Sequence, residues 1–229
     1  MAVTRKQRII ALAAAAGVAI AALALAVALG STSKKPAPTT PASGRSFLAG
    51  VRQRGDTLGR PDAPATLLVF EDPQCPYCRL WSVDTLPSVV DGFVRTGRVK
   101  LVWEGIPIVG ENSVTGLRGA YAAAEQNRLW SFVDQLFQRQ GTENSGWIDA
   151  QLLRRAADTV GVNPSAMFAA AGSASVTARL RLAIQEATKY GVHGTPTFVL
   201  LRRLASPRQL ELTSLGSASF DAVLSAALR

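Results

Sequence analysis

Apolar residues are distributed along this chain in three regimes. Ile9 to Leu29 is a continuous apolar run of 21 residues. About 20 apolar residues in a helix cross the hydrocarbon of a bilayer. The run has no polar face, so it does not suit a helix on a soluble core. Residues 31–45, STSKKPAPTTPASGR, place Pro36, Pro38 and Pro41 among Ser, Thr, Ala and Lys. Such a stretch cannot build a core and reads as a semi-extended tether. From residue 46 onward the apolar positions recur at strand and helix spacing, and a folded domain is expected.

Thr66-Leu67-Leu68-Val69-Phe70 is short, apolar and β-rich, and predicts a buried strand. A helical pattern then runs from about Cys75 to Arg95 with Pro87 inside it, where a kink or split is expected. Gly97 ends it, and Val99 to Trp103 predicts the next strand. Strand, helix, strand is a βαβ unit with parallel strands. Residues 113–190 lack strand signals. Ala120 to Gln140 predicts a helix with Leu129, Phe132, Val133, Leu136 and Phe137 on one face. A second helix follows Asp149 and closes at Gly161, and Asn163-Pro164 is a cap with proline at the first helical position. A third helix carries Val176, Leu180, Ile184 and Ala187 as its apolar face and stops at Gly191. Strands are expected at Pro196 to Leu201 and Gln209 to Leu215, then a helix holding Phe220, Val223, Leu224 and Leu228. The order βαβ, helical insert, ββα gives an α/β fold with helices packed on a small mixed sheet.

Charge adds topology. Arg5, Lys6 and Arg8 precede the apolar run, and by the positive-inside rule they stay cytoplasmic and place the chain beyond Gly30 outside. The length of the run fits an uncleaved signal anchor. A cleaved signal peptide is the competing reading, with Ala26-Val27-Ala28 as a small-residue cleavage site. Either delivers the domain to an oxidising compartment. The formal net charge of +9 is concentrated early, since the first 45 residues hold six cations and no acidic residue. Beyond them 19 cations face 16 anions, too mild an excess to imply a nucleic-acid partner. Lys34 and Lys35 read as solvated linker residues near the outer membrane face.

Both cysteines of the chain lie in EDPQCPYCRLW, as Cys75 and Cys78. A structural zinc site needs four Cys or His ligands, and the chain offers two cysteines and one histidine, His193. A disulfide closing so short a loop stabilises by only about 2 kcal/mol before strain. A redox centre explains position as well as spacing. The pair falls between a buried strand and a helix, where unpaired N–H groups and the helix dipole favour an anion at Cys75. The dipole contributes at most about 2 kcal/mol, enough to bring a thiol from about 8.5 to about 7. Pro76 pre-forms the first helical turn. Cys75 is then expected as the exposed attacking thiolate, and Cys78, one turn on, as the more buried resolving thiol. Gly194-Thr195-Pro196 just before an apolar strand suggests a special peptide bond, the alternative being an ordinary proline opening an edge strand. His193, two residues before Thr195, is a tempting proton carrier whose simpler reading is a loop residue.

EDPQCPYC, the helical insert and GTPTFVL together resemble the DsbA-like thiol–disulfide oxidoreductases of the thioredoxin superfamily. The resemblance covers roughly residues 57 to 201 and includes LGRPDAPATLLVFEDPQCPYCRLW, IPIVGENS and GAYAAAEQNRLWSFVDQLF. It implies a thioredoxin-like fold with an inserted all-helical subdomain at about 113–190, preceded by one N-terminal transmembrane helix. The divisions are then a cytoplasmic basic segment 1–8, an anchor 9–29, a tether 30–45 and a domain 46–229. It implies Cys75 as nucleophile, Cys78 as resolving cysteine, and a redox-active disulfide between them. Pro196 would be a cis-proline beside Cys75, Thr195 a backbone partner for an extended substrate, and Pro76 and Tyr77 would tune the potential. Members of that family often carry a buried Glu or Asp six residues before the first cysteine; here that position is Val69. Glu71 and Asp72 are nearby, on opposite faces by strand alternation, where either can face water.

The function expected is an anchored, extracytoplasmic disulfide oxidase. It would pass its disulfide to exported, unfolded or partly folded proteins and be reoxidised by a membrane-embedded, quinone-linked partner. A reductase or isomerase with the same site is the alternative, and a membrane-tethered binding module with a static disulfide is a third. No G-x-G-x-x-G, flavin or phosphate-loop signal appears, so no cofactor and no metal are expected. Tyr77, Trp81, Trp103 and Trp130 read as core or rim aromatics.

Overall fold

The computed structural model describes residues 46–229. The expected anchor and tether lie outside the described residues. Among those described, no helix is long and apolar enough to cross a membrane.

The sheet is built outward from β3 (Ala65–Glu71), whose side chains are buried on both faces except at Thr66. β4 (Val99–Gly105) pairs with it in parallel, Ala65 opposite Val99 and Glu71 opposite Gly105. β5 (Thr197–Arg202) pairs antiparallel on its other side, with Ala65 opposite Arg202. Two pieces extend the edges. The two-residue strands β1 (Gln53–Arg54) and β2 (Thr57–Leu58) form a hairpin on β4, and β6 (Arg208–Gln209) lies on β5. The order is β1-β2-β4-β3-β5-β6. The hairpin is too short for its apolar pattern to signal a strand in the sequence.

The first crossover begins with α1 (Pro76–Leu80) and includes α2 (Leu86–Val89), each followed by a π-helical turn, Trp81–Thr85 and Val90–Val94. The interruption expected around Pro87 takes the form of a π turn, after which α2 starts with Pro87 in its first turn. The wide turn before α2 gives the proline ring room, with the Leu86 N–H bonded back to the Trp81 carbonyl, five residues earlier. Five helices follow: α3 (Glu111–Glu125), α4 (Leu129–Gln138), α5 (Ala150–Val160), α6 (Pro164–Ala171) and α7 (Ala174–Lys189). The single helix expected over Ala120 to Gln140 is therefore two, parted at Asn127 with φ 59°. The Asn163 cap and the Gly161 stop read from the sequence form, and Asp149 adds a cap of its own. Asp149 accepts from the Leu152 N–H at 2.7 Å, Asn163 from the Ala166 N–H at 3.0 Å, and Gly161 closes α5 at φ 72°. Such N-caps are each worth ~1 kcal/mol. Ile184 is not core: α7 buries Val176, Leu180, Ala183 and Ala187, which leaves Ile184 at the wet margin of the stripe.

The strand expected over Gln209 to Leu215 shrinks to β6. The Leu210 N–H still bonds Phe198 O at 2.9 Å, and the chain then leaves the sheet, with the Thr85 hydroxyl bonding the Leu215 carbonyl. α8 (Ser217–Leu228) returns onto the core, where Phe220 meets Phe198 at 4.8 Å and Trp81 at 5.7 Å between ring centroids. Arg179 of α7 joins the insert to the sheet. Its guanidinium binds Asp56 at 2.7 Å and Glu104 at 3.0 Å, and lies over the Tyr121 ring.

Candidate functional site

β3 delivers the chain to the sheet's C-terminal edge at Glu71, and four residues later Cys75 is the N-cap of α1. Asp72 shapes the intervening loop. Its carboxylate is fully buried and accepts from the backbone N–H groups of Gln74, Ile108 and Val109 at 2.7–2.8 Å. The Cys75 N–H donates to Asp72 O at 3.0 Å. A strap from the insert closes over this loop. Gln140 Nε2 donates to the carbonyls of Pro73 (2.8 Å) and Cys75 (3.0 Å). The buried Gln74 side chain exchanges bonds with Asn144 and donates to Ser113 Oγ. A Cβ at Gly110 would stand 2.3 Å from Asn144 Oδ1 and displace that side chain from its bond with Gln74.

Both cysteines are free thiols. The Cys78 N–H donates to Cys75 Sγ at 3.4 Å, and the Cys75 thiol donates to the Thr195 carbonyl at 3.2 Å. The Thr195–Pro196 bond is cis. Donation from the Cys78 thiol is the largest influence on Cys75. Against burial, and with help from the Thr195 side chain and the Cys78 and Tyr77 N–H groups, it brings the Cys75 thiol down to about 6. Cys78 moves the other way, pushed well up by burial and then by its bond to Cys75 and the nearby Glu71 and Cys75 charges. One thiol is thus set to be a thiolate at neutral pH and its neighbour to keep its proton.

The contrast in exposure is smaller than expected. Cys78 is fully buried, but Cys75 is itself only 5% exposed, beside Thr195. Pro76 and Tyr77 point outward on α1, Tyr77 at 64% exposure. His193 is exposed in the loop ahead of Thr195. Trp81, Trp103 and Trp130 are core. No cluster of His, Cys, Asp and Glu that could hold a metal occurs among the described residues.

The expectation that Glu71 or Asp72 faces water is overturned: both are completely buried. β3 lies inside the sheet with helices over both faces, so alternation has no wet side to offer. Glu71 accepts from Ser82 Oγ at 2.7 Å and Trp103 Nε1 at 2.8 Å. Burial pushes its carboxyl up to about 8, and the charge on Cys75 adds to this. The site thus has a buried carboxyl at Glu71, two residues along the same strand face from Val69. The signal was present in the sequence, because an apolar run covering both strand faces, extended by one residue, buries Glu71 as well.

A family model described as thioredoxin matches residues 53–211. The probable disulfide bond formation protein D of Bacillus cereus is 33% identical over 99 residues, 42% of this chain and 46% of that protein. The chain thus spans less than half the length of that relative. Among solved structures, oxidised BdbD from Bacillus subtilis superposes with a TM-score of 0.65 at 19% identity, over 78% of this chain and 97% of that one. Chlamydia trachomatis DsbA does so with a TM-score of 0.62 at 19% identity, over 80% and 95%. The matched span takes in both cysteines, the whole helical insert and the strand that follows Pro196, and by that match the chain belongs to the thioredoxin family, with the fold of its DsbA-type members.

Proposed function

We propose that this chain is an extracytoplasmic thiol–disulfide oxidoreductase that works as a disulfide oxidase on exported proteins. Cys75 is the nucleophile and leaving group, and Cys78 the resolving thiol. The observation that carries the reading is the split between them, Cys75 brought down to about 6 and Cys78 pushed up. A stabilised Cys75 thiolate favours the reduced pair, and that makes the corresponding disulfide a stronger oxidant.

In the reaction, a substrate thiolate attacks Cys75 Sγ of the Cys75–Cys78 disulfide. A substrate–Cys75 bond forms, the Cys75–Cys78 bond breaks, and Cys78 leaves with the electron pair and takes up a proton. A second substrate thiolate attacks the substrate sulfur of the mixed disulfide and expels Cys75 as a thiolate. The substrate loses two electrons and the Cys75–Cys78 pair gains them. The low pKa makes Cys75 a good leaving group in that step. Exposed Tyr77 and Leu80 give α1 an apolar surface next to Cys75 that suits unfolded chains. Thr195 and Pro196 line the other side, with Thr195 offering its backbone to an extended substrate. Pro76 and Tyr77, between the cysteines, tune the potential. A membrane-embedded, quinone-linked partner takes the electrons from the reduced pair, and residues 9–29 anchor the domain in the same bilayer.

The test is oxidation of a reduced model substrate by the full chain. Cys75→Ser should abolish disulfide transfer, and so should Cys78→Ser, which cannot form the donor disulfide. Offered the oxidised substrate instead, Cys78→Ser should accumulate it as a mixed disulfide, the Cys75 thiolate attacking the substrate disulfide and expelling a substrate thiolate. Full function in Cys75→Ser would make the pair a static disulfide in a binding module.

A further inference from the structure

The two ends of the sheet differ in charge and in what they carry. The C-terminal end of β3 leads to Cys75. The opposite end is the pole where Ala65 faces both Val99 and Arg202. The seven residues of β3 separate the two ends by about 20 Å. The described chain also begins at this far pole, because Arg95, just before β4, donates to the carbonyls of Phe47 and Ala49 at 2.6 and 3.0 Å.

Two ion pairs at the pole neutralise themselves, Arg60–Asp62 and Arg95–Asp91. Arg98, Lys100, Arg202, Arg203 and Arg208 have no carboxylate within ion-pair distance among the described residues. The last three flank the turn between β5 and β6, whose residues 203–208 are all exposed. At its tip Leu204 is 103% exposed and held at φ 64°, a left-handed conformation that a leucine rarely adopts. A large apolar side chain is thus held fully in water, flanked in the chain by Arg202, Arg203 and Arg208, at the end of the domain where the described residues begin. Basic side chains around an apolar tip are the arrangement that anionic lipid interfaces attract.

We infer that the pole formed by Arg98, Lys100 and the Arg202–Arg208 hairpin docks on the anionic surface of the bilayer, with Leu204 entering the headgroup region. The inference rests on the proposed anchoring by residues 9–29. Docking points the Cys75 site away from the membrane, toward emerging substrates. Transfer of electrons to a membrane-embedded partner then requires release of the pole.

The test uses the full chain reconstituted in lipid nanodiscs, of phosphatidylcholine alone or mixed with phosphatidylglycerol, with amide hydrogen exchange read over residues 198–210. Residues 203–208 should exchange more slowly in the phosphatidylglycerol discs only. The protection should disappear at roughly 0.5 M salt, where screening is short-ranged, and in R203E/R208E, with a loss of roughly fivefold per basic side chain removed. The salt arm needs no variant and so is independent of folding. Equal exchange in both disc types, with the chain retained in the disc, overturns the docking but leaves the anchor standing. A chain that does not stay with the disc overturns the anchor, and the docking with it. Protection by soluble polyglutamate but not by phosphatidylglycerol would assign the surface to an acidic protein and overturn the lipid assignment.

Discussion

At the scale of single residues, Cys75 and Glu71 have opposite charge preferences. Donors around Cys75 favour its thiolate, whereas the walls around Glu71 favour its neutral acid. The reduced protein should show thiolate absorbance titrating with a midpoint near about 6, from one thiol only. A midpoint above roughly 8, the range of an ordinary thiol, would remove the basis for the proposed leaving group. For Glu71 the folded pKa is raised, so its contribution to stability is fully present below about 4.3 and lost as pH rises toward about 8. Glu71→Gln keeps both neighbours satisfied, because its carbonyl can accept from Trp103 and its amide can donate to Ser82. The variant should melt about 3 °C or more above the parent at pH 8 and equal it at pH 4. A lower melting temperature at pH 8 would mean that the carboxylate, not the acid, is the form the fold prefers.

At the scale of elements, the insert is fastened to the sheet by Arg179. Glu104 is buried, and its carboxyl is pushed up by burial while Arg179 opposes the shift. Arg179→Ala leaves that carboxylate uncompensated and should cost ~3 kcal/mol in denaturant unfolding. Adding Glu104→Gln should recover a good part of the loss, whereas additive losses would mean that the two side chains act independently. The elements themselves were legible wherever a period or a cap ran long enough. The runs 66–70 and 99–103, the Asn163-Pro164 start and the Gly161 stop all reappear as strands or helix ends. What the sequence hid depends on partners distant in the chain. The β1–β2 hairpin is defined by pairing with β4, and the strap at Gln140 and Asn144 by a loop some 70 residues earlier. Pro87 announced an interruption but not its form, because a π turn can accommodate a proline without ending the helix. The cysteine pair was readable because its chemistry depends on local spacing, whereas the cis bond at Thr195–Pro196 was expected only through the family resemblance. Glu71 was readable only indirectly, from the two-faced apolar run that precedes it, because its burial is decided by what covers both faces of β3.

At the scale of the whole molecule, the two ends of the sheet divide the work. One holds a thiol pair whose protonation states are set apart, and the other is basic and carries the start of the described chain. Stability should follow the same chemistry. The folded pKa of Cys75 is depressed, so the stabilisation it gives the reduced protein is present above the unfolded thiol value and lost as pH falls through about 6. The reduced form should therefore melt above the oxidised form, by a gap that widens as pH rises from about 6 to 8. An oxidised form that melts higher across this range would contradict a destabilised disulfide. The most direct measurement is the reduction potential of Cys75–Cys78 in the full chain, equilibrated against glutathione buffers at pH 7. The proposed oxidase requires a value nearer roughly −120 mV than −270 mV, and a value at or below roughly −270 mV would contradict it and point to a reductase supplied with electrons.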